Sequence, residues 1–210
     1  DRGGHIAIRS TGHYPTRAKT AALGDRLLDG TASANDWQGW WPLADYPQSF
    51  DPAQGFLASN NQQPKDPKVD GKYFGWDWPA PWRAMRINAL LRADSAVTPD
   101  AMRRYQTDSK SEQTPVFLSA FQAAAAAASA PRDSAMVRAA RLLGEWDGRF
   151  TKESERAVLY DAALDELTRR TWDELAVPGA QPDDRPRRTA TPNAMILAEL
   201  LQDPNSTWWD

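Results

Sequence analysis

The spacing of apolar residues divides the chain into an irregular first part and a helical second part. Residues 5–9 alternate, with Ile6 and Ile8 on one side, which predicts a half-buried strand. A second strand is predicted over residues 55–59. Between them, Gly, Pro and large aromatic residues interrupt any regular period, which indicates a long ordered connection. The first third is therefore expected to be rich in strand.

Beyond residue 81 the apolar period becomes helical. A Thr-Pro pair favours a helix start, because Thr offers a capping oxygen and Pro has a preset φ. Three such pairs predict helix starts at Thr98, Thr114 and Thr191. Apolar stripes such as the one from Tyr160 to Leu175 bring the expected number to about six helices. A Pro, Asp and Arg cluster between Pro178 and Arg188 predicts an exposed loop.

These patterns predict an α+β fold in which helix predominates. The expected domains are a β-rich segment with a long loop over residues 1–81 and a helical region over residues 82–210.

Charge and composition exclude several classes of protein. Lys and Arg number 25 against 28 Asp and Glu, so the net charge of −3 provides no basic surface for nucleic acid. The chain has no Cys, which excludes disulfides, thiolate metal sites and a cysteine nucleophile. The longest apolar stretch, residues 123–128, is far shorter than the roughly 20 residues of a membrane span. Neither nucleic acid nor a membrane is expected as a partner.

Two pairs of chemically active residues receive structural interpretations. His5 and His13 are the only histidines and lack a recognisable third ligand, so surface or hydrogen-bonded roles are favoured over a metal site. Glu145 and Asp147 lie at a helix end beside Gly148, and we expect them to fix a turn rather than act as acid and base.

The ten Trp residues permit two interpretations. Stacked on a surface they would form a glycan-binding module, whereas packed together they would hold an irregular connection in place. Pro and Gly interleave them, as in a packed loop, which favours the second interpretation. The tryptophans concerned are Trp37, Trp40, Trp41, Trp76, Trp78 and Trp82.

Asn61 and Arg83 are the most informative pair. Asn61 follows the predicted second strand, and its amide can donate to charge developing on a carbonyl oxygen, although Asn there is often only a turn residue. Arg83 begins a helix in line with Ile87 and Leu90, so it is expected to face inward. A cation in that position needs an ion pair or a function.

Several short motifs follow one another over about residues 1–160, and their order carries the resemblance. In chain order they are DRGGHIAI at 1–8, TG at 11–12, YPxR at 14–17, NDWQG at 35–39, DPxxGF at 51–56, NN at 60–61, RxxRIxxLL at 83–91, QxDxxS at 106–111 and WDG at 146–148. Together they resemble the penicillin acylase (penicillin amidase) family of N-terminal-nucleophile hydrolases.

The resemblance implies an internal segment of the β-chain of an autoprocessed zymogen with a four-layer αββα sandwich. The implied activity is hydrolysis of the side-chain amide of a penicillin-like or acyl-homoserine-lactone-like substrate. The N-terminal serine nucleophile is then expected upstream of Asp1, so this segment alone should be inactive. The α-chain and the remaining β-chain are the implied partners, antibiotic metabolism the implied process, and the periplasm the implied location.

The resemblance also gives roles to particular residues. Asn61 resembles the oxyanion-hole asparagine, with Asn60 as the second candidate, and Arg83 resembles the arginine that holds that asparagine in place. No cofactor is implied for catalysis. A structural calcium is implied, for which Asp70 is the nearest candidate ligand.

Overall fold

The computed structural model describes residues 1–17, 27–66, 74–75, 78–128, 134–177, 187–188 and 191–209. The chain divides into two compact units, Asp1–Ser95 and Ala96–Asp210. Both helix and strand are present, as the sequence predicts. The proposed domain limit between residues 81 and 82 stays a prediction.

The first unit contains a small antiparallel sheet. Strand β1 (Ala7–Arg9) pairs with strand β2 (Gln48–Phe50), with Ile8 opposite Ser49. The strand predicted at residues 5–9 is therefore confirmed in its second half. The expected half-burial of this strand is confirmed at Ile6, which is half-buried, and is wrong at Ile8, which is 42% exposed.

The second predicted strand, at residues 55–59, is wrong. These residues form no strand ladder, and left-handed backbone occurs at their first residue and again two residues after their last, with φ of +77° at Gly55 and +63° at Asn61. Such angles interrupt the extended conformation that a strand needs. Strand in the described residues of the first third is limited to β1 and β2, which is less than the sequence predicts.

An aromatic cluster organises the connection between β1 and β2. The Tyr14 ring stacks on Trp41 at 5.4 Å between centroids and meets Tyr46 edge-on at 4.8 Å. Phe74 packs against Trp41 at 4.8 Å, and the Trp41 amide donates to the Tyr14 carbonyl at 2.9 Å. Tyr46 is 2% exposed. These rings give an irregular segment a core of its own.

The first unit ends with helix α1 (Trp82–Ala93). The helical second unit contains five further α-helices, so six lie in the described residues, as the sequence predicts. They are α2 (Pro99–Gln106), α3 (Thr114–Ala127), α4 (Ala135–Gly144), α5 (Glu155–Thr171) and α6 (Ala194–Leu200). Two-residue strands β3 (Ala176–Val177) and β4 (Arg187–Arg188) pair antiparallel, so the loop predicted over residues 178–188 is wrong at its last two residues.

Only one of the three Thr-Pro pairs provides the predicted cap. The Thr98 side chain accepts from the Ala101 amide, which begins α2. Thr114 is instead the first residue of α3, after Gln113. Helix α6 is capped by the Asn193 side chain, which accepts from the Met195 amide, so Thr191 lies outside it. Asn is as good a cap as Thr, and the later acceptor places the helix start.

The core of the second unit lies where α3, α4 and α5 meet. Phe117 and Tyr160 are at most 1% exposed, and Trp146 packs against the Tyr160 ring at 5.2 Å. Burial raises the pKa of Tyr160. The Tyr160 and Thr114 hydroxyls are both buried without a hydrogen-bond partner among the described residues.

None of the helices in the described residues is long and apolar enough to cross a membrane.

Candidate active site

The structure brings Asn61 and Arg83 together. Arg83 Nη2 donates to Asn61 Oδ1 at 2.6 Å and to the Asn60 carbonyl at 3.2 Å. Arg83 lies in the first turn of α1, and Asn61 lies in the turn that follows residues 55–59. Within the described part of the chain, Asn61 Nδ2 makes no hydrogen bond. Because Asn61 is exposed and its oxygen is bound by Arg83, the donor end of the amide is left for another acceptor.

The expected inward orientation of Arg83 is wrong for this chain, since the residue is exposed. Helix α1 buries Ala84 instead, and Ile87 is half-buried. Each residue turns the helix by about 100°, so burial of Ala84 rotates Arg83 off the apolar face. From there its guanidinium reaches the Asn60–Asn61 turn. No ion pair of Arg83 with another described residue accompanies these bonds.

Gln62 binds the other backbone polar group of Asn60 in the same turn. Its Oε1 accepts from the Asn60 amide at 2.6 Å, and its Nε2 donates to the Ala58 carbonyl at 3.3 Å. The Asn60 side chain leaves Nδ2 buried without a partner among the described residues. The sequence alone does not single out Gln62, because nothing in its local pattern distinguishes it from its neighbour Gln63.

The predictions for the two histidines are confirmed. His5 Nδ1 lies 2.5 Å from Asp51 Oδ2, and the His5 ring stacks on Phe50 at 5.6 Å. His13 packs on the Trp40 ring at 4.9 Å. Both histidines therefore have hydrogen-bonding or packing roles.

Glu145 and Asp147 line a polar cleft of about 300 Å³. Asp147 Oδ1 accepts from the Arg149 amide at 3.0 Å, and Gly148 between them has a φ of +78°. The turn role of Asp147 is thus confirmed. Glu145 instead pairs with Arg156 Nη2 at 3.0 Å, which joins the end of α4 to the start of α5.

The tryptophans divide between packed and exposed positions. Trp41 belongs to the aromatic cluster, which confirms the packing interpretation there. Trp37 and Trp40 are 57% and 53% exposed and meet edge-on at 5.3 Å, with Arg17 over the Trp37 ring. Trp76 lies outside the described residues.

The predicted calcium ligand, Asp70, also lies outside the described residues. Among the residues that the structure describes, no group of three or more His, Cys, Asp or Glu could hold a metal ion. A calcium ligand at Asp70 therefore stays a prediction.

Comparison with known proteins gives these contacts a family context. The family model of penicillin amidase matches residues 1–210. The chain belongs to the penicillin amidase family. It is 32% identical to the acyl-homoserine lactone acylase QuiP of Pseudomonas aeruginosa over 98% of this chain and 25% of that protein. It is 29% identical to the penicillin acylase 2 proenzyme of Pseudomonas sp., over 68% of this chain and 18% of that protein.

A third relative is the acyl-homoserine lactone acylase QuiP of Pseudomonas syringae pv. syringae, 32% identical over 81% of this chain and 22% of that protein. The chain thus spans about a quarter or less of the length of these relatives. These relatives are named as acylases rather than carbohydrate-binding proteins, so they support a hydrolase and give no support to the glycan-binding interpretation.

Proposed function

We propose that this member of the penicillin amidase family forms the oxyanion-stabilising part of an amidohydrolase. The observation that carries the proposal is the 2.6 Å hydrogen bond from Arg83 to Asn61 Oδ1. The proposed substrate is the amide of a small acylated amine such as a penicillin or an acyl-homoserine lactone. The nucleophile is an N-terminal serine that lies outside residues 1–210.

The chemistry of the guanidinium supports this role for Asn61. Arg can only donate hydrogen bonds, so it selects the oxygen end of the Asn61 amide and keeps the nitrogen end free. A charged donor also polarises the amide, which strengthens the hydrogen bonds that Nδ2 can donate. The side chain is therefore prepared for an anionic acceptor before any substrate binds.

In the proposed reaction the serine hydroxyl attacks the substrate carbonyl carbon while its own α-amino group takes the proton. The carbonyl π electrons move to the oxygen, where Asn61 Nδ2 donates a hydrogen bond to the developing negative charge. Collapse of this intermediate expels the amine, which receives the proton, and leaves an acyl-serine. Water then releases the acid by the same sequence of steps.

The names of the relatives support the remaining parts of the proposal. The word proenzyme in one name fits a precursor that is cleaved into chains, and two other names specify an acyl-homoserine lactone. We propose the α-chain and the rest of the β-chain as partners, an αββα sandwich as the complete fold and the periplasm as the location. The side chains of Leu43 and Phe50 are exposed. Because burial of apolar surface is energetically favourable, they support the proposal of partner chains that cover them.

Asn61→Ala in the full-length protein tests the proposal. Because the lost hydrogen bond strengthens as charge develops, kcat should fall by about 10²- to 10³-fold, roughly 2.7 to 4 kcal/mol, with KM little changed. The measurement is steady-state hydrolysis of a phenylacetyl amide and a long-chain acyl-homoserine lactone.

Asn60→Ala is the matched control. Its backbone, rather than its side chain, makes the bonds to Gln62 and Arg83, so this variant should lose much less activity. Maturation is followed by gel, so that an uncleaved precursor is not counted as a catalytic defect. If Asn60→Ala is inactive and Asn61→Ala is active, Asn60 is the donor; if both mature and turn over normally, the oxyanion assignment is wrong.

A further inference from the structure

The position of Asn61 depends on how residue 60 is held. The Asn60 amide is bound by Gln62 Oε1 at 2.6 Å, and the Asn60 carbonyl is bound by Arg83 Nη2 at 3.2 Å. Both backbone polar groups of one residue are therefore held by side chains, one from each side. This restricts the two backbone angles of Asn60, which set the direction in which Asn61 leaves the chain.

Gln62 uses both ends of its amide for this purpose. While Oε1 binds the Asn60 amide, Nε2 donates to the Ala58 carbonyl at 3.3 Å, so one half-buried side chain bridges Ala58 and Asn60, which lie three residues and one residue before Asn61. Only an amide combines an acceptor and a donor at this spacing. A carboxylate keeps the first bond and loses the second, and a thioether loses both.

Asn61 needs such support because it adopts a left-handed backbone with φ of +63°. Asn enters that region more readily than most non-glycine residues, but conformations with negative φ stay open to it, and neighbouring bonds select the left-handed one. Without the Gln62 bridge, residue 61 can relax to negative φ. That change would turn its side chain away from Arg83.

We infer that Gln62 is a positioning residue for the oxyanion donor: by holding Asn60 it keeps Asn61 aligned with the developing charge. This inference rests on the proposed function of Asn61. It distinguishes Gln62 from an ordinary turn residue, whose loss would lower stability and leave the chemical step unchanged.

The test compares Gln62→Met with Gln63→Met in the full-length protein. Gln63 is exposed and makes no hydrogen bond within the described part of the chain, so it controls for the loss of a glutamine in this segment. Gln62→Met should lower kcat per matured molecule by about tenfold, the effect of one or two weakened hydrogen bonds, with KM changed less than about twofold. Gln63→Met should retain the original kcat.

Gln62→Glu provides the graded variant. It keeps an acceptor for the Asn60 amide, so its kcat should lie between those of the parent and Gln62→Met. If Gln62→Met does not mature, the kcat of Gln62→Glu tests the inference in its place. Equal kcat values for the parent and Gln62→Glu, with a lower melting temperature, would overturn the inference in favour of a purely structural role.

A double-mutant cycle with Asn61→Ala separates this inference from the proposed function. If Gln62 acts through Asn61, adding Gln62→Met to Asn61→Ala should cost no further activity. A full additional tenfold loss would mean that Gln62 acts independently, and the inference would be wrong while the role of Asn61 stood. If Asn61→Ala alone keeps full activity, the proposed function fails first and the positioning role fails with it.

Discussion

Arg83 makes both of its contacts to the asparagine turn through one nitrogen, Nη2. A planar guanidinium keeps that nitrogen at a fixed angle, whereas an ammonium is a flexible point charge. Replacement of Arg83 should therefore reveal whether the turn needs a cation alone or a cation with fixed geometry.

In the full-length protein, Arg83→Leu should lower kcat by about 10- to 100-fold, the value of a lost charge-assisted hydrogen bond. Arg83→Lys should recover only part of the activity. Arg92, exposed in the last turn of α1, is the matched control, and Arg92→Leu should turn over normally. Full activity and higher stability in Arg83→Leu would identify Arg83 as an ordinary surface residue.

The sequence predicts that Asn61 and Arg83 act together, but it does not predict the geometry of their contact. The end of a predicted strand and the phase of a predicted helix point to Asn61 and Arg83, the family resemblance gives them roles, and the structure places them in contact. The left-handed φ of Asn61 and the bridge made by Gln62 were missed. Both depend on hydrogen bonds that leave no periodic pattern, so a reading of apolar spacing cannot detect them.

Helices were predicted better than strands because their signals are local. A stripe of apolar residues every three or four positions defines α5, whose Tyr160 is buried as expected. Helix starts were less accurate, because several nearby side chains compete as caps: Asn193 replaces Thr191 at α6. The strand predicted at residues 55–59 is wrong because a short run of residues does not by itself specify a pairing partner.

The exposed face of α5 provides a prediction from its charges. Arg169 and Arg170 both bind the Glu166 carboxylate, which lowers the pKa of Glu166 to about 2. Because the folded pKa is depressed, the pairing stabilises the protein fully above the ordinary pKa of 4.5 and is lost as pH falls from there towards 2. Solvent screening keeps the effect on stability small.

Carbon NMR of labelled glutamate carboxyls in the full-length protein, assigned with Glu166→Gln, should show this low midpoint. Combined Arg169→Ala and Arg170→Ala substitutions should move it back towards 4.5, whereas Arg138→Ala, on a different helix, should leave it in place. A Glu166 midpoint near 4.5 in the parent protein would mean that the two arginines do not hold the carboxylate in solution.

The two units differ in how much core each possesses. In the described residues of the first unit, Tyr46, Pro47 and Ala84 are the buried positions, and its sheet has two three-residue strands. The second unit buries Phe117 and Tyr160 among its helices. A two-stranded sheet is marginally stable in water. We therefore expect the first unit to depend on contacts outside itself that the second unit does not need.

The 210-residue chain expressed alone tests this dependence together with the missing nucleophile. Hydrogen exchange should be slow in α3 and α5, which surround Phe117 and Tyr160, and close to the unstructured rate in β1 and β2. The same preparation should not hydrolyse phenylacetyl or long-chain acyl amides, because Asn61 and Arg83 would stabilise an oxyanion that no serine generates.

The full-length protein, measured in parallel, should protect both units and hydrolyse one of these amides. Turnover by the 210-residue chain would show that it contains its own nucleophile, and equal protection of both units would show that the first unit folds unaided.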